Sequence, residues 1–194
     1  IEQFRHIGVR YDVGIFTNLT PEHIDSHGSF ENYKQSKGKM FAAISKYKTK
    51  QFRGKIFKKV ILANADSDEA SYFLSFQAED KKTYSILKNS DFRVESVTPN
   101  INGSTFRVLN STYEIKLPGQ FNVYNALPAI AVGLIFGVSP ESINKGLMLI
   151  DSIAGRMEEI KNDRGFRVFV DYAHEPAGLQ SVIETANQLK SKDN

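Results

Sequence analysis

The strongest constraint on the fold is a change of hydrophobic period near the middle of the chain. Four segments between residues 83 and 117 alternate apolar and polar side chains with period two, and turn residues such as Asn102-Gly103 separate them. The segments span residues 84–87, 92–97, 105–109 and 113–117. Period two is typical of strands with one buried face, and short turns between such strands favour antiparallel pairing. We therefore predict a four-stranded antiparallel meander here.

The segments on either side of this block indicate an α/β fold. Short apolar runs at 13–17 and 59–63 predict buried strands. Segments with helical spacing predict helices over residues 30–44, 66–76, 120–136, 140–149 and 176–189. After residue 153 a new β–β–α pattern begins, with predicted strands at 157–160 and 166–172. We therefore predict two domains, over residues 1–153 and 154–194.

Composition excludes several classes of protein. Hydrophobic residues make up 41% and charged residues 24% of the 194 residues, which is typical of a globular chain and excludes wholesale disorder. The absence of cysteine excludes a disulfide scaffold, a thiol nucleophile and a cysteine-ligated metal site. No apolar run approaches the roughly 20 residues of a membrane span. We expect a soluble, cytoplasmic protein with neither a nucleic acid nor a membrane as partner.

Positive charge is concentrated in one stretch of the chain. The net charge is only +3, but residues 34–59 contain no Asp or Glu. The basic residues of this stretch are Lys34, Lys37, Lys39, Lys46, Lys48, Lys50, Arg53, Lys55, Lys58 and Lys59. Such a run is either a solvated surface or an electropositive site for an anionic ligand, such as a nucleotide-linked substrate.

Two polar clusters follow predicted strands. Asp171 ends the strand at 166–172, and His174 comes three residues later, before a helix. Ligands bind at the carboxyl ends of strands in α/β sheets, so Asp171 suits a ribose hydroxyl or a metal, although it could equally cap the helix. His23, Asp25 and His27 follow the strand at 13–17 at alternate positions. They are candidate ligands of a divalent metal or, alternatively, solvated residues near a helix start.

Lys37 has an unusual place in the pattern. It falls in an otherwise apolar helical stripe made up of Phe30, Tyr33, Phe41 and Ile44. A lysine there can extend its ammonium group to solvent, or it can pair with an acidic group. In a third interpretation, burial favours the neutral amine, which then reacts with carbon dioxide to give an anionic carbamate that can ligate a cation.

Asn122 and Asn125 lie three residues apart at the start of the helix predicted over 120–136, and therefore on one face. A carboxamide carries both a donor and an acceptor and can pair with an adenine edge, or it can cap the helix. The sequence contains neither a phosphate-binding Gly-x-x-x-x-Gly-Lys-Ser/Thr loop nor a Gly-x-Ser-x-Gly elbow.

Taken together, five stretches in this order resemble the Mur ligase family, with most likeness to the enzymes that add the third amino acid of the stem peptide. They are Gln3-Phe4-Arg5, residues 16–28 (FTNLTPEHIDSHG), residues 33–37 (YKQSK), residues 119–125 (GQFNVYN), and Gly155-Arg156-Met157-Glu158 with residues 170–176 (VDYAHEP). The second and fifth stretches are quite specific. The Asn-x-x-Asn stretch occurs throughout the family and its relatives.

The resemblance implies a fold and an activity. It implies a central ATPase domain with a mostly parallel sheet, helices and a small antiparallel meander, followed by the start of a Rossmann-like C-terminal domain. The implied activity is ATP-dependent amide-bond formation in peptidoglycan (cell-wall) synthesis. L-lysine or meso-diaminopimelate would be added to UDP-MurNAc-L-Ala-D-Glu through an acyl-phosphate. We expect the chain to be a piece of such an enzyme, inactive alone, and the full-length enzyme to be monomeric.

The resemblance also implies roles for individual residues. Lys37 corresponds to a carbamylated lysine that helps to hold Mg²⁺, and His23 corresponds to a Mg²⁺ ligand. Gln3 and Arg5 correspond to contacts with the UDP-linked substrate. The implied ATP contacts are Asn122, Asn125, Arg156 and Asp171. His174 lies beside these and is a catalytic candidate together with Lys37, whereas the resemblance gives Asp25 and His27 no definite role.

One departure from the family pattern keeps alternatives open. Glu175-Pro176-Ala177-Gly178 stands where these enzymes usually carry Thr-Pro-Asp, and cyanophycin synthetases are closer to Ala-Gly there. The alternatives are a cyanophycin- or folylpolyglutamate-type ligase, or a non-catalytic Mur-like module.

Overall fold

The computed structural model describes residues 8–21, 27–100 and 102–189. These residues form two compact units, an N-terminal unit up to Arg93 and a C-terminal unit from Val94. Gln3, Arg5, His23 and Asp25 lie outside the described residues, so the expectations about them stay predictions.

The N-terminal unit is built on parallel strands. Its elements are β1 (Val13–Phe16), α1 (Phe30–Ile44), β2 (Lys50–Phe52), β3 (Lys55–Phe57), β4 (Val60–Asn64), α2 (Ala70–Leu74), β5 (Asp80–Ser85) and the start of β6 (Phe92–Asn100). β4 lies between β1 and β5 and pairs with both in parallel. All five residues of β4 are buried, as its continuous apolar run predicts.

Aromatic side chains dominate the core of this unit. The rings of Phe16 and Phe73 stack with centroids 4.0 Å apart, and the Phe41 ring lies 4.8 Å from Phe73. Gly14 lets α1 approach β1, because a Cβ at this position would lie 2.3 Å from the side chain of Ile44. The helical stripe found in the sequence is therefore the packing face of α1 in its second half, where Phe41 and Ile44 are buried.

The C-terminal unit contains the antiparallel strands. Its elements after β6 are β7 (Gly103–Val108), β8 (Ser111–Ile115), α3 (Gln120–Ile135), α4 (Pro140–Met148), β9 (Glu158–Ile160), β10 (Val168–Val170) and α5 (Pro176–Gln188). β7 pairs antiparallel with β6 and with β8, and β9 pairs antiparallel with β10. None of the helices within the described residues is long and apolar enough to cross a membrane.

Most predicted elements are confirmed, but the meander has three strands rather than four. The segment predicted at 84–87 belongs to β5, which begins at Asp80 and pairs in parallel with β4 and, through Tyr84 and Ser85, with the start of β6. The start of β5 was not predicted as a strand, because its first residues are polar and form no apolar run. The β2–β3 hairpin was not predicted, because five of the ten residues from 50 to 59 are Lys or Arg.

The helix predicted over 66–76 is also shorter, spanning only Ala70–Leu74. Asp66 does not begin this helix; its carboxylate instead accepts hydrogen bonds from Ser85 Oγ (2.6 Å) and from backbone N–H groups of Ile86 (2.8 Å) and Lys88 (3.0 Å). The domain boundary expected near residue 153 stays a prediction.

Candidate functional site

The two halves of the fifth stretch, one of the two quite specific ones, meet in the C-terminal unit. Asp171 accepts hydrogen bonds through both carboxylate oxygens, from Met157 N at 2.8 Å and from Ala173 N at 2.7 Å. Tyr172 N donates to the Gly155 carbonyl at 2.8 Å. Glu158 Oε2 accepts from Gly155 N at 2.9 Å. Residues 155–158 and 171–174 are therefore joined into one structure.

The backbone at Met157, between these two segments, adopts an unusual turn. Met157 is buried at 4% exposure and has a φ of 44°, in the left-handed region that a side chain rarely adopts. The hydrogen bond from its amide to Asp171 stabilises this conformation. The sequence marked Asp171 as a ligand contact or a helix cap. In the structure it orders the turn that follows Arg156.

Three exposed side chains lie in a row above this turn. The Arg156 guanidinium carbon lies 5.7 Å from the centroid of the Tyr172 ring, and the Tyr172 and His174 rings meet edge to face at 5.1 Å. His174 Nδ1 lies 2.9 Å from the Tyr172 carbonyl, and its Nε2 lies 3.8 Å from Glu175 Oε1. A cation, an aromatic face and an imidazole side by side can stack on a base and contact phosphate. Sequence analysis missed Tyr172 as a member of this row.

Asn122 and Asn125 have different surroundings at the start of α3. Asn122 is buried, and its Nδ2 donates to the Pro118 carbonyl at 2.8 Å. Its Oδ1 accepts from Asn125 Nδ2 at 3.3 Å. Asn125 is exposed. Of the two predicted adenine contacts, the structure leaves Asn125 open to solvent, while Asn122 binds the backbone before the helix and helps to orient Asn125.

The carboxyl ends of β1 and β4 are joined in the N-terminal unit. Asn64 Nδ2 donates to the Thr17 carbonyl at 2.9 Å, and Asn64 Oδ1 accepts from Asp66 N at 3.0 Å. Sequence analysis did not single out Asn64. A polar residue that closes an apolar strand was the signal that could have found it, as it did for Asp171.

Lys37 lies beside a cavity at this same edge, but it is not buried. The cavity has a volume of about 370 Å³, and its lining includes Thr17, Asn18, Tyr33 and Lys37. Lys37 Nζ lies 5.2 Å from the centroid of the Tyr33 ring. The centroid of the His27 ring, just before α1, lies 5.1 Å from that of Tyr33. Lys37 is exposed, because only the second half of the α1 stripe is covered. The argument that burial makes its ammonium form costly is therefore wrong.

The described residues assemble no metal centre from acidic and imidazole side chains. No group of three or more His, Asp or Glu residues comes together among residues 8–21, 27–100 and 102–189. Of the cluster that the sequence marked, only His27 is described, and it packs against Tyr33. Residues with oxygen-bearing side chains that line the same cavity as Lys37 are Thr17, Asn18 and Tyr33.

The comparisons with known proteins identify the family. The model of the Mur ligase middle domain matches residues 1–133. The chain belongs to the Mur ligase family. The fold agrees with this membership, since the parallel strands with helices and the antiparallel strands match solved structures of the family.

Individual relatives show how much of a Mur ligase is present. The chain is 37% identical over 190 residues to the UDP-N-acetylmuramoyl-L-alanyl-D-glutamate–2,6-diaminopimelate ligase of Halalkalibacterium halodurans, covering 96% of the chain and 37% of that protein. A solved structure of a ligase with the same name has a TM-score of 0.75 at 25% identity, covering 98% of this chain and 38% of that one. MurF from Acinetobacter baumannii has a TM-score of 0.76 at 19% identity, with coverages of 94% and 38%, which shows the fold alone. The chain thus spans under two fifths of the length of these proteins.

Proposed function

We propose that this chain is part of an ATP-dependent ligase that adds the third amino acid to UDP-MurNAc-L-Ala-D-Glu in peptidoglycan synthesis. The observation that carries the proposal is the joining of Gly155-Arg156-Met157-Glu158 to Asp171-Tyr172-Ala173-His174, because this stretch is one of the two quite specific family-like motifs and is the one that the structure describes throughout. The relative from H. halodurans is named for 2,6-diaminopimelate, so meso-diaminopimelate is the amino acid that we propose in preference to L-lysine.

In the proposed reaction, an oxygen of the D-glutamyl carboxylate attacks the γ-phosphorus of ATP and ADP leaves. The amine of the incoming amino acid then attacks the acyl carbon, and phosphate leaves with its pair of electrons. Negative charge develops on the transferring oxygens in both steps, so cationic groups held in place in advance lower the barrier.

The residues of the C-terminal unit would bind and orient the nucleotide. Arg156 supplies a guanidinium for phosphate oxygens, and its place is fixed by the turn that Asp171 and Glu158 hold. Each carboxylate oxygen of Asp171 can accept a second hydrogen bond, so a ribose hydroxyl can still be bound there. Asn125 offers a donor and an acceptor to the adenine edge. We propose that His174, which lies next to the Tyr172 side chain in the row with Arg156, contacts the reacting groups.

Lys37 is the residue that we propose for Mg²⁺ binding after carbamylation. As an ammonium it would repel a cation, whereas a carbamate would add anionic oxygens beside the side chains of Thr17 and Asn18, and Mg²⁺ prefers oxygen ligands. The exposure of Lys37 also leaves it accessible to carbon dioxide. Bound Mg²⁺ would neutralise charge on the phosphate oxygens.

The experiment follows phosphate release from ATP by the complete ligase with UDP-MurNAc-L-Ala-D-Glu and single amino acids. We expect release that requires both the nucleotide-linked dipeptide and meso-diaminopimelate, with L-lysine much weaker. Release with another acceptor would favour a cyanophycin- or folylpolyglutamate-type ligase, for which Glu175-Pro176-Ala177-Gly178 is the favouring observation. Bound ATP without release under any condition would indicate a non-catalytic module.

A separate readout tests the carbamate. We expect a ¹³C NMR signal from a lysine carbamate when the protein is equilibrated with ¹³C-bicarbonate, and we expect that signal to be lost in Lys37→Ala. Lys39→Ala is the matched control, since Lys39 is also exposed on α1. An unchanged signal in Lys37→Ala would show that Lys37 is not the modified residue.

A further inference from the structure

The β2–β3 hairpin carries exposed apolar side chains that the proposed function does not use. Phe52 is 62% exposed and Ile56 is 69% exposed. They flank the turn at Arg53-Gly54, and Phe52 pairs with Lys55 while Ile56 pairs with Gln51. Neighbouring cross-strand pairs point to opposite faces, so the hairpin presents an apolar group on each face near its tip.

The base of the hairpin is held by acidic side chains. Asp12 accepts hydrogen bonds from Lys50 Nζ at 2.6 Å and from Lys59 Nζ at 2.8 Å. Glu79 Oε2 accepts from Lys59 N at 2.7 Å and from Thr49 Oγ1 at 3.2 Å. The charges of Lys50 and Lys59, at the base of the hairpin, are therefore paired with the Asp12 carboxylate.

The cations nearer the tip have no such compensation within the described residues. Arg53 and Lys55 are exposed and form no ion pair there. In the sequence, no Asp or Glu occurs between Glu31 and Asp66. The tip thus combines two apolar side chains with two exposed positive charges.

This surface lies away from the candidate site of its own unit. The hairpin precedes the first residue of β4, whereas Asn64 and the cavity beside Lys37 lie at the carboxyl ends of β4 and β1. The five residues of β4 separate the two ends by about 16 Å. The interpretation of the basic run as a site for a nucleotide-linked substrate stays a prediction.

We propose that the β2–β3 hairpin docks on the surface of a bilayer containing anionic phospholipids. The tip enters the interfacial region end-on, with Phe52 on one face of the hairpin and Ile56 on the other, and Arg53 and Lys55 contact the phosphate groups of the lipids. A contact of this kind needs no membrane-spanning helix, and it departs from the expectation that the protein has no membrane partner.

The side chains favour a bilayer over a nucleic acid. Single-stranded nucleic acids are bound by stacking of bases on open aromatic faces. The Phe52 ring already has the Arg53 guanidinium carbon 5.3 Å from its centroid, and Ile56 has no ring on which a base can stack. Both side chains can still enter an apolar environment, with the cations reaching the head groups.

A tryptophan placed at the tip tests the contact directly, because the chain has no Trp of its own. We expect the emission of Phe52→Trp to shift to shorter wavelength with vesicles of phosphatidylglycerol and phosphatidylcholine, and not with phosphatidylcholine alone. Leu87→Trp is the matched control, since Leu87 is also 69% exposed and lies outside the hairpin. Its emission should not shift.

Sedimentation with the same vesicles measures the contribution of each group. We expect Lys55→Ala to weaken binding about fivefold, and Phe52→Ser or Ile56→Ser about tenfold each. Lys145→Ala and Leu87→Ser serve as charge and apolar controls and should leave binding unchanged. Added salt should weaken the binding.

Three outcomes would overturn the proposal. The first is no binding to anionic vesicles by a chain whose circular dichroism shows the expected helices and strands. The second is binding that the controls reduce as much as the hairpin variants do. The third is binding to single-stranded RNA that the hairpin variants abolish, with no binding to vesicles. None of these depends on ligase activity, so the test is separate from that of the proposed function.

Discussion

Asp171 joins the two halves of the motif, because its two carboxylate oxygens accept hydrogen bonds from the backbone amides of Met157 and Ala173. Replacing it with alanine should lower the free energy of unfolding by about 2 to 3 kcal/mol, since two backbone donors lose a charged acceptor. Urea denaturation measures this. Asp171→Asn keeps one acceptor and should lose about half as much. A purely ligand-binding Asp171 would leave the stability of both variants unchanged.

Asp12 gives a prediction about pH. Burial alone would raise its pKa, but hydrogen bonds from Lys50 and Lys59 outweigh burial and leave the pKa below its usual range. Such a carboxylate stabilises the fold above its unfolded pKa of about 3.9, and this contribution is lost as the pH falls through the lower folded value.

The variant Asp12→Ala should therefore be less stable by about 2 kcal/mol at neutral pH, because within the described residues the buried Lys59 ammonium then keeps only the Tyr11 carbonyl, at 3.0 Å. The difference from the unmodified chain should shrink below about pH 4. Urea denaturation between pH 3 and 7 checks both statements. A difference that stays constant over this range would show that Asp12 acts through packing rather than through its charge.

Single residues also show what the sequence could not predict. Asp171 was found because a carboxylate that ends an apolar strand stands out in the pattern. The exposure of Lys37 was missed because helical spacing shows which residues share a face, but not how far the neighbouring sheet covers that face. Within the stripe, Phe41 and Ile44 are buried in the aromatic core, whereas Lys37, one turn earlier, is exposed.

Among the elements, α3 depends on one glycine at its start. Gly119 has a φ of 95°, and a Cβ there would lie 2.7 Å from Thr185 Oγ1 on α5. We expect Gly119→Ala to lower the free energy of unfolding by about 1 to 3 kcal/mol, from backbone strain and from separation of α3 and α5.

A second glycine is the matched control. Gly146 lies within α4 with helical backbone, and a Cβ there would meet nothing within 4 Å. Gly146→Ala should raise the free energy of unfolding by about 0.5 to 1 kcal/mol, because alanine favours the helix. Thermal denaturation followed by circular dichroism compares the two variants. Equal effects would show that neither backbone angle nor contact with Thr185 decides the result.

The elements that sequence analysis placed well are those whose pattern is set by burial. β4 and the helices α1, α3, α4 and α5 lie within a few residues of their predicted bounds. β5 was assigned to the wrong sheet partner, because strand direction depends on which distant segment pairs with it and period two carries no such information. α2 was predicted too long, because Asp66 bonds to residues 86–88 rather than to the start of the helix.

At the scale of the whole molecule, the relatives set the expectation for activity. The chain spans 37% of the H. halodurans ligase, and its sequence contains no phosphate-binding loop of the Gly-x-x-x-x-Gly-Lys-Ser/Thr type. We expect the 194-residue chain to release no phosphate from ATP by itself, and the complete ligase to do so with both substrates. A colorimetric phosphate assay on the two proteins decides the matter. Release by the chain alone would mean that residues other than a loop of this type bind the triphosphate.

The way in which Asp12 and Glu79 hold the base of the β2–β3 hairpin also affects how this protein can be altered. Strand β4 is held by its pairing with β1 and β5 and by the contacts at Lys59, so the residues around Gly54 are not needed to place it. A segment closed off in this manner can change in length at little thermodynamic cost, since loop closure entropy rises slowly with length. The fold should therefore tolerate an epitope inserted at Arg53-Gly54, and related sequences could differ in length there while the parallel strands stay the same; such an insertion would alter the proposed lipid contact without unfolding the unit.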